Sequence, residues 1–207
     1  MYTHQKQIIT AGTLLAQAKG ALVMLHGRGG TARNIISLAS DFNLADFAIL
    51  APQATNQSWY PYSFMAPVEE NQPALDSALE MIGQTVEDII ATGIPADKIY
   101  FAGFSQGACL TLEYIARNAQ RFGGAVAFTG GLVGEELVTS NYKGDFAATP
   151  ILITTGDPDP HVPLSRVEES VSVLKNLGAE VTLKVFKGRP HTILREEIEL
   201  ANQLIFQ

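Results

Sequence analysis

Several common functional features are missing from this 207-residue sequence. It contains a single cysteine, Cys109, which excludes an intrachain disulfide and leaves no thiolate cluster for a metal. The formal net charge is −7 and no basic run occurs, so we expect no binding to nucleic acid, whose phosphates attract lysine and arginine. Cys109 falls four residues after Ser105 and is expected in the core.

Long apolar runs are also missing. No stretch approaches the roughly 20 apolar residues that span a bilayer, and residues 1–7 lack the apolar segment of a signal peptide. We therefore expect a soluble, cytoplasmic protein with no stable membrane insertion. Hydrophobic residues make up 46% and charged residues 17%, which indicates a folded chain. This length predicts one domain over residues 1–207.

The stretch 99–110 carries the most specific pattern. Its apolar beginning predicts a buried strand, the pattern Gly103-Phe104-Ser105-Gln106-Gly107 follows, and apolar residues then recur at helical spacing. A G-x-S-x-G turn between a strand and a helix is typical of a nucleophile elbow, which presents a serine hydroxyl at the edge of a sheet. The pattern also arises by chance in glycine-rich chains, so the prediction depends on its strand–helix context.

Apolar runs and helical patterns alternate along the rest of the chain. Strands are predicted at 21–25, 47–51, 99–102, 124–128, 151–155 and 181–186, with an edge strand or hairpin at 7–13. Helices are predicted from Thr31 to Ala39, over 75–90, after Gly107, over 164–177 and over 193–205. This alternation predicts an α/β fold with a mainly parallel central sheet and helices on both faces. In such sheets functional loops gather at the carboxyl ends of the strands.

A serine hydroxyl becomes a strong nucleophile only when a base takes its proton. Among the four histidines, His191 lies in the loop after the last predicted strand and is our prediction for this base; the alternative is a solvent-facing loop histidine. His4 is expected to be frayed, His26 to brace a glycine-rich turn, and His161 to lie too close to the acid in sequence.

Two aspartates follow the predicted strand at 151–155. Asp157 is close enough to the strand to cap its own turn, whereas Asp159 is held further out between Pro158 and Pro160. We therefore favour Asp159 as the carboxylate that orients the imidazole. A purely structural pair of turn-forming aspartates is the alternative.

An oxyanion requires backbone N–H donors near the nucleophile. The amide of Gln106 is one candidate, and Arg28 in the loop His26-Gly27-Arg28-Gly29-Gly30 supplies the other. Since these donors are main-chain groups, side-chain replacement at either position is expected to cost far less activity than replacement of Ser105. A phosphate cradle is the alternative for this loop, but the loop lacks the Walker lysine and a full G-x-G-x-x-G.

The segment 53–73 has no clear period and is predicted to be a long loop. Its Trp59, Tyr60 and Phe64, together with Val162, are candidates for the wall of a substrate pocket. The alternative is that the rings only cover an edge of the sheet. Arg28 and Arg189 lie in two of the functional loops and suggest, as a hypothesis, a preference for an anionic ester.

Five segments together resemble the phospholipase/carboxylesterase family of α/β hydrolases, which includes acyl-protein thioesterases and small bacterial carboxylesterases. They are Leu25-His26-Gly27-Arg28-Gly29, Ser58-Trp59-Tyr60, Gly103-Phe104-Ser105-Gln106-Gly107-Ala108, Gly156-Asp157-Pro158-Asp159-Pro160-His161-Val162-Pro163 and Gly188-Arg189-Pro190-His191. The resemblance covers nearly the whole chain and implies the α/β-hydrolase fold with no cofactor and no metal. It also implies a triad of Ser105, Asp159 and His191, with Arg28 and Gln106 at the oxyanion positions.

The function implied by this resemblance is serine-dependent hydrolysis of carboxylic esters with small to medium acyl chains, through an acyl-Ser105 intermediate. Hydrolysis of acyl-thioesters or lysophospholipids on the same triad is the first alternative, and a non-catalytic binding protein of the same fold is the second. The expected partner is a small-molecule or lipid-like ester, and the expected state is a monomer or homodimer. Gly30 and Arg189-Pro190 depart from the usual family pattern.

Overall fold

The computed structural model describes residues 1–207, in which seven strands form one sheet. The strands are β1 (Ile8–Gly12), β2 (Gly20–Leu25), β3 (Phe47–Pro52), β4 (Ile99–Phe104), β5 (Gly124–Phe128), β6 (Pro150–Asp157) and β7 (Glu180–Lys187). The α-helices are α1 (Ala32–Ile36), α2 (Val68–Asn71), α3 (Ala74–Ala91), α4 (Gln106–Arg117), α5 (Leu164–Asn176) and α6 (Arg195–Leu204). This mainly parallel α/β architecture confirms the fold expected from the sequence.

The strand order β1-β3-β2-β4-β5-β6-β7 explains why the functional loops meet. Only the edge strand β1 runs antiparallel to its neighbour, so β2 to β7 all end at the same edge. The chain leaves β2 for β3 on one side and returns to β4 on the other. Leu25 at the end of β2 therefore pairs with Gly103, and the loops after β2 and β4 become neighbours at this switch point.

Both faces of the central strands are apolar. In β2, Ala21, Val23 and Leu25 pack on the side covered by α3, α4 and α5, while Leu22 and Met24 pack towards α1 and α6. A strand that is buried on both faces appears in sequence as a continuous apolar run, which is why β2 was predictable. The helices cover the sheet with amphipathic faces of the expected 3.6-residue period.

The element boundaries differ from the sequence prediction in several places. Helix α1 ends at Ile36 and continues as a 3₁₀ turn, Ser37–Asp41. Strand β6 extends to Asp157 because its pairing with β7 continues to Lys187. The supposedly irregular segment 53–73 contains α2 and the short 3₁₀ turn Thr55–Gln57.

Candidate active site

Ser105 occupies a sharp turn between β4 and α4. Its φ of 53° lies in the left-handed region, which is unfavourable for a residue with a Cβ. The turn is tight enough that a Cβ on Gly107 would overlap the carbonyl of Leu25, and one on Gly103 would overlap the carbonyl of Gly107. The backbone N–H of Ser105 donates to the carbonyl of Phe128 at 2.9 Å and so fixes the turn to the end of β5.

The side chains of Ser105, His191 and Asp159 form a continuous hydrogen-bonded chain. Ser105 Oγ lies 2.8 Å from His191 Nε2, and His191 Nδ1 lies 2.9 Å from Asp159 Oδ2. An ionised carboxylate can only accept, so Nδ1 carries the proton and donates to Asp159. Nε2 is then free to accept from the Ser105 hydroxyl, which is the tautomer that a general base requires.

The loop around Asp159 keeps its carboxylate ionised. Its side chain has no solvent exposure, and Oδ1 accepts from the amides of His161 and Val162 at 2.9 and 3.0 Å. Burial alone would raise the pKa of Asp159, but the hydrogen bonds from His191 and these two amides outweigh it and lower the pKa below its usual value. Asp157, by contrast, ends β6 with an exposed side chain.

The loop after β2 and the start of α4 both reach the cavity that Ser105 lines. Gly27, Arg28, Ser105 and Gln106 all line it. The amide of Gln106 opens α4, where the first N–H groups have no intrahelical acceptor. The amide of Arg28 donates to no protein acceptor. These are the donors that the sequence indicated for an oxyanion.

The Gln106 side chain has a separate structural role that no sequence pattern indicated. It is buried, its Oε1 accepts from the Trp59 amide at 2.8 Å, and its Nε2 donates to the Tyr60 carbonyl at 2.8 Å. This paired contact joins α4 to the loop that forms one wall of the cavity. Side-chain replacement at Gln106 is therefore expected to disturb this wall of the cavity, even if it costs far less activity than replacement of Ser105.

A cavity of about 570 Å³ opens beside Ser105 and His191. Tyr60, Phe64 and Val162 line it, where the sequence placed a pocket wall. The sequence did not indicate Phe104, Cys109 and His161, which also line the cavity. Their positions depend on where α4 and the loop after β6 meet, which no local pattern encodes.

Trp59 does not line this cavity, contrary to the expectation from the sequence. Its side chain is fully buried, and its indole N–H donates to the carbonyl of His26 at 2.8 Å. Its ring also packs on the His26 ring, with 4.9 Å between centroids. Trp59 therefore supports the loop from the core, where the acceptor that its buried indole N–H needs is the His26 carbonyl.

The other histidines have distinct environments. His26 is buried and braces its turn as expected, with Nδ1 2.8 Å from the Gly27 carbonyl. His4 is not frayed: its ring bridges the Trp59 carbonyl at 2.9 Å and the Thr55 amide at 3.1 Å. The exposed His161 places its ring edge-on to His191, with 4.9 Å between ring centroids.

Cys109 belongs to the core, and its thiol is not a candidate nucleophile. It is fully buried under the elbow in α4, and burial raises the pKa of its thiol to about 12. A thiol with this pKa stays protonated at neutral pH, and only the thiolate is strongly nucleophilic.

Comparison with known proteins identifies the family. A model of the phospholipase/carboxylesterase family matches residues 15–206. The chain belongs to the phospholipase/carboxylesterase family. The crystal structure of a phospholipase/carboxylesterase from Dyadobacter fermentans matches with a TM-score of 0.99 at 64% sequence identity, and covers 100% of this chain and 99% of that one.

Curated relatives are more distant. A probable carboxylesterase of Oryza sativa subsp. japonica is 29% identical over 204 residues, which are 88% of this chain and 75% of the relative. An acyl-protein thioesterase 1 of Gibberella zeae is 29% identical over 116 residues, which are 55% of this chain and 49% of the relative. This member of the phospholipase/carboxylesterase family is therefore a hydrolase of the carboxylesterase/thioesterase type with the α/β-hydrolase fold.

The two arginines that were predicted to bind an anion, Arg28 and Arg189, differ in their exposure and in their position relative to the cavity. Arg28 is exposed and lines the cavity. Arg189 does not line it, because its guanidinium is buried between Thr129 and Glu197 and donates to the hydroxyl of Thr129. The hypothesis of an anion-binding Arg189 is therefore wrong.

The described residues contain no cluster of histidine, cysteine or carboxylate side chains arranged to hold a metal ion. Among the helices, none combines the length and the apolar character that crossing a bilayer requires.

Proposed function

We propose that this hydrolase cleaves carboxylic esters with small to medium acyl chains, using Ser105 as nucleophile, His191 as general base and Asp159 as the group that orients it. The observation that carries the proposal is the hydrogen-bonded chain from Ser105 through His191 to the buried carboxylate. Its two links, at 2.8 and 2.9 Å, are within the range in which a proton can be transferred.

In the first half-reaction, Ser105 Oγ attacks the ester carbonyl carbon while its proton moves to His191 Nε2. The negative charge that develops on the carbonyl oxygen is stabilised by the backbone N–H groups of Arg28 and Gln106. The carbon–oxygen bond to the alcohol then breaks, and the alcohol leaves with the proton from Nε2. An acyl ester of Ser105 remains.

In the second half-reaction, water attacks the acyl carbonyl and gives its proton to His191 Nε2. The same amides stabilise the second oxyanion. Collapse of this intermediate returns the proton to Ser105 Oγ and releases the carboxylic acid. Asp159 stays ionised throughout and stabilises the imidazolium that forms twice in each cycle.

The cavity has the size of an ordinary small-molecule site. Its volume is about 570 Å³, and Tyr60, Phe64 and Val162 give it an apolar wall against which an acyl chain can pack. Thioester hydrolysis is the second candidate, because the Gibberella zeae relative is an acyl-protein thioesterase. Lysophospholipid hydrolysis would use the same triad.

The decisive test is labelling with a fluorophosphonate, followed by assays with 4-nitrophenyl esters of increasing acyl length, acyl-thioesters and lysophospholipids. We expect labelling at Ser105, loss of labelling in Ser105→Ala, and a fall in kcat of about 10⁶ in that variant. Absence of labelling in the wild type would support a non-catalytic binding protein. Wild-type esterase activity in Ser105→Ala would show that the nucleophile is wrong.

A further inference from the structure

Arg28 is the cavity-lining residue whose side chain carries a formal charge at neutral pH. The other lining residues offer apolar, hydroxyl, amide, thiol or imidazole groups, and none of them is an aspartate or a glutamate. The whole chain has a formal net charge of −7. The cavity therefore concentrates a positive charge within an otherwise negative protein, and this difference favours an anionic ligand.

The charge of Arg28 is fixed in place without being neutralised. Its Nη1 donates to Ser58 Oγ at 3.0 Å and to the Pro61 carbonyl at 2.8 Å, and its Nη2 donates to the Tyr62 carbonyl at 2.6 Å. All three acceptors are uncharged, and Arg28 forms no ion pair. A guanidinium held in this way does not have to be immobilised again when a ligand binds.

The guanidinium retains donors for a ligand. An arginine side chain has five N–H groups, and the three contacts leave one on Nε and one on Nη2. A carboxylate matches adjacent guanidinium N–H groups in shape and carries the single negative charge that Arg28 balances. A phosphate dianion would bring a second negative charge, for which the lining offers no further arginine or lysine.

We propose that the preferred substrate is an ester that carries a free carboxylate, bound by the guanidinium of Arg28 while the ester carbonyl lies at Ser105. This inference rests on the proposed function, because the bound ester must reach that nucleophile. The carboxylate belongs either to the acyl part or to the alcohol part, and both sources share the same chemistry. Arg28 thus acts twice, through its amide on the oxyanion and through its side chain on specificity.

The test compares kcat/KM within two matched pairs of esters. For a carboxylate on the acyl part, the pair is mono-4-nitrophenyl adipate and its methyl ester. Their hydrolysis is monitored by the release of nitrophenolate. For a carboxylate on the alcohol part, the pair is 4-acetoxybenzoate and its methyl ester. Wild type, Arg28→Gln, Arg28→Lys and Arg121→Gln are assayed at low and high ionic strength.

The control Arg121→Gln removes the same charge from an exposed arginine that also donates to carbonyls, those of Ala147 and Ala148. Arg121 precedes β5 and so lies at the opposite edge of the sheet from the cavity. A ratio of anionic to neutral kcat/KM within one variant cancels any general loss of folding or of oxyanion geometry. Arg28→Gln is therefore interpretable even if the loop that Arg28 holds shifts.

In at least one pair, the wild type is expected to prefer the anionic ester by roughly tenfold or more, since a hydrogen bond to a charged group contributes at least that much. Arg28→Gln is expected to abolish this preference, Arg28→Lys to retain only part of it because an ammonium keeps the charge but lacks the paired N–H groups, and Arg121→Gln to leave it unchanged. High salt should weaken it because the guanidinium is exposed. Two results would overturn the inference. One is a higher kcat/KM for the neutral ester in both pairs, and the other is a preference for the anionic ester that stays the same in Arg28→Gln. Absence of turnover of every ester would instead contradict the proposed function.

Discussion

Arg189 Nη1 lies 3.6 Å from Glu197 Oε2, and both side chains are almost completely buried. Glu197 also accepts from the hydroxyl of Thr154 and from the Leu194 amide. Because Arg189 stands two residues before His191, this pair anchors the loop of the proposed base to α6.

Glu197→Gln is expected to reduce both the stability and the activity of the enzyme. The change leaves the buried guanidinium of Arg189 without a countercharge, which costs about 3–5 kcal/mol in comparable buried pairs. Urea denaturation measures the loss of stability, and a lower kcat reports that His191 is less well positioned. Glu199→Gln is the matched control on the same helix, since Glu199 pairs with Arg195 at an exposed position, 3.1 Å away. Equal effects of the two changes would contradict the anchoring role.

Asp159→Asn should lower kcat by about 10⁴, as the equivalent change does in serine proteases. An asparagine amide facing Nδ1 would donate rather than accept, so the imidazole would carry its proton on Nε2 and could not take one from Ser105. Asp157→Asn is the control, because its exposed side chain makes no hydrogen bond, and kcat should stay within about twofold. If kcat fell further in Asp157→Asn than in Asp159→Asn, Asp157 and not Asp159 would be the carboxylate that orients the imidazole.

The strands, Ser105 and Asp159 could be predicted from local patterns, whereas His191 could be predicted from its position along the chain. Buried strands appear as apolar runs, and the suspected loops all follow the carboxyl end of a strand. Ser105 was identified by glycine spacing, which reflects the close approach of β2, β4 and α4. His191 followed from the order of the chain, and the structure brings its ring to Ser105 Oγ.

The contacts that support the site were not predictable from the sequence. A buried Glu197 on α6 looks like any polar position of an amphipathic helix until Arg189 is placed beside it. Trp59 was predicted to line the pocket because aromatic residues in a loop usually indicate a pocket wall. Its indole N–H instead donates to the carbonyl of His26 in the core. Such contacts join residues that are far apart in the chain, so the spacing of residues in the sequence does not indicate them.

Gln106→Ala is expected to destabilise the wall of the cavity as well as the fold. Removal of the side-chain amide leaves the backbone N–H of Trp59 buried without a partner, at a cost of about 1–3 kcal/mol, whereas the Tyr60 carbonyl keeps its hydrogen bond from the Ser58 hydroxyl. KM should rise because Tyr60 lines the cavity, while the backbone N–H of residue 106 remains available to the oxyanion. Gln84→Ala is the control, since its amide makes only a 3.4 Å contact with Glu80. If Gln106→Ala were as stable as the wild type, the paired contact between this side chain and the loop would not stabilise the fold.

The buried ring of His26 predicts that acid destabilises the fold. Its Nε2 accepts from the Ala54 amide at 3.1 Å, which requires the neutral ring, and burial lowers the pKa of His26. The unfolded chain therefore binds more protons below about pH 6.5, so the free energy of unfolding falls as pH decreases from there towards the folded-state pKa. In urea titrations between about pH 7.5 and 5.5, His26→Gln should be less stable at neutral pH but show a shallower pH dependence than the wild type. A slope in His26→Gln as steep as that of the wild type would show that this ring does not control the acid sensitivity.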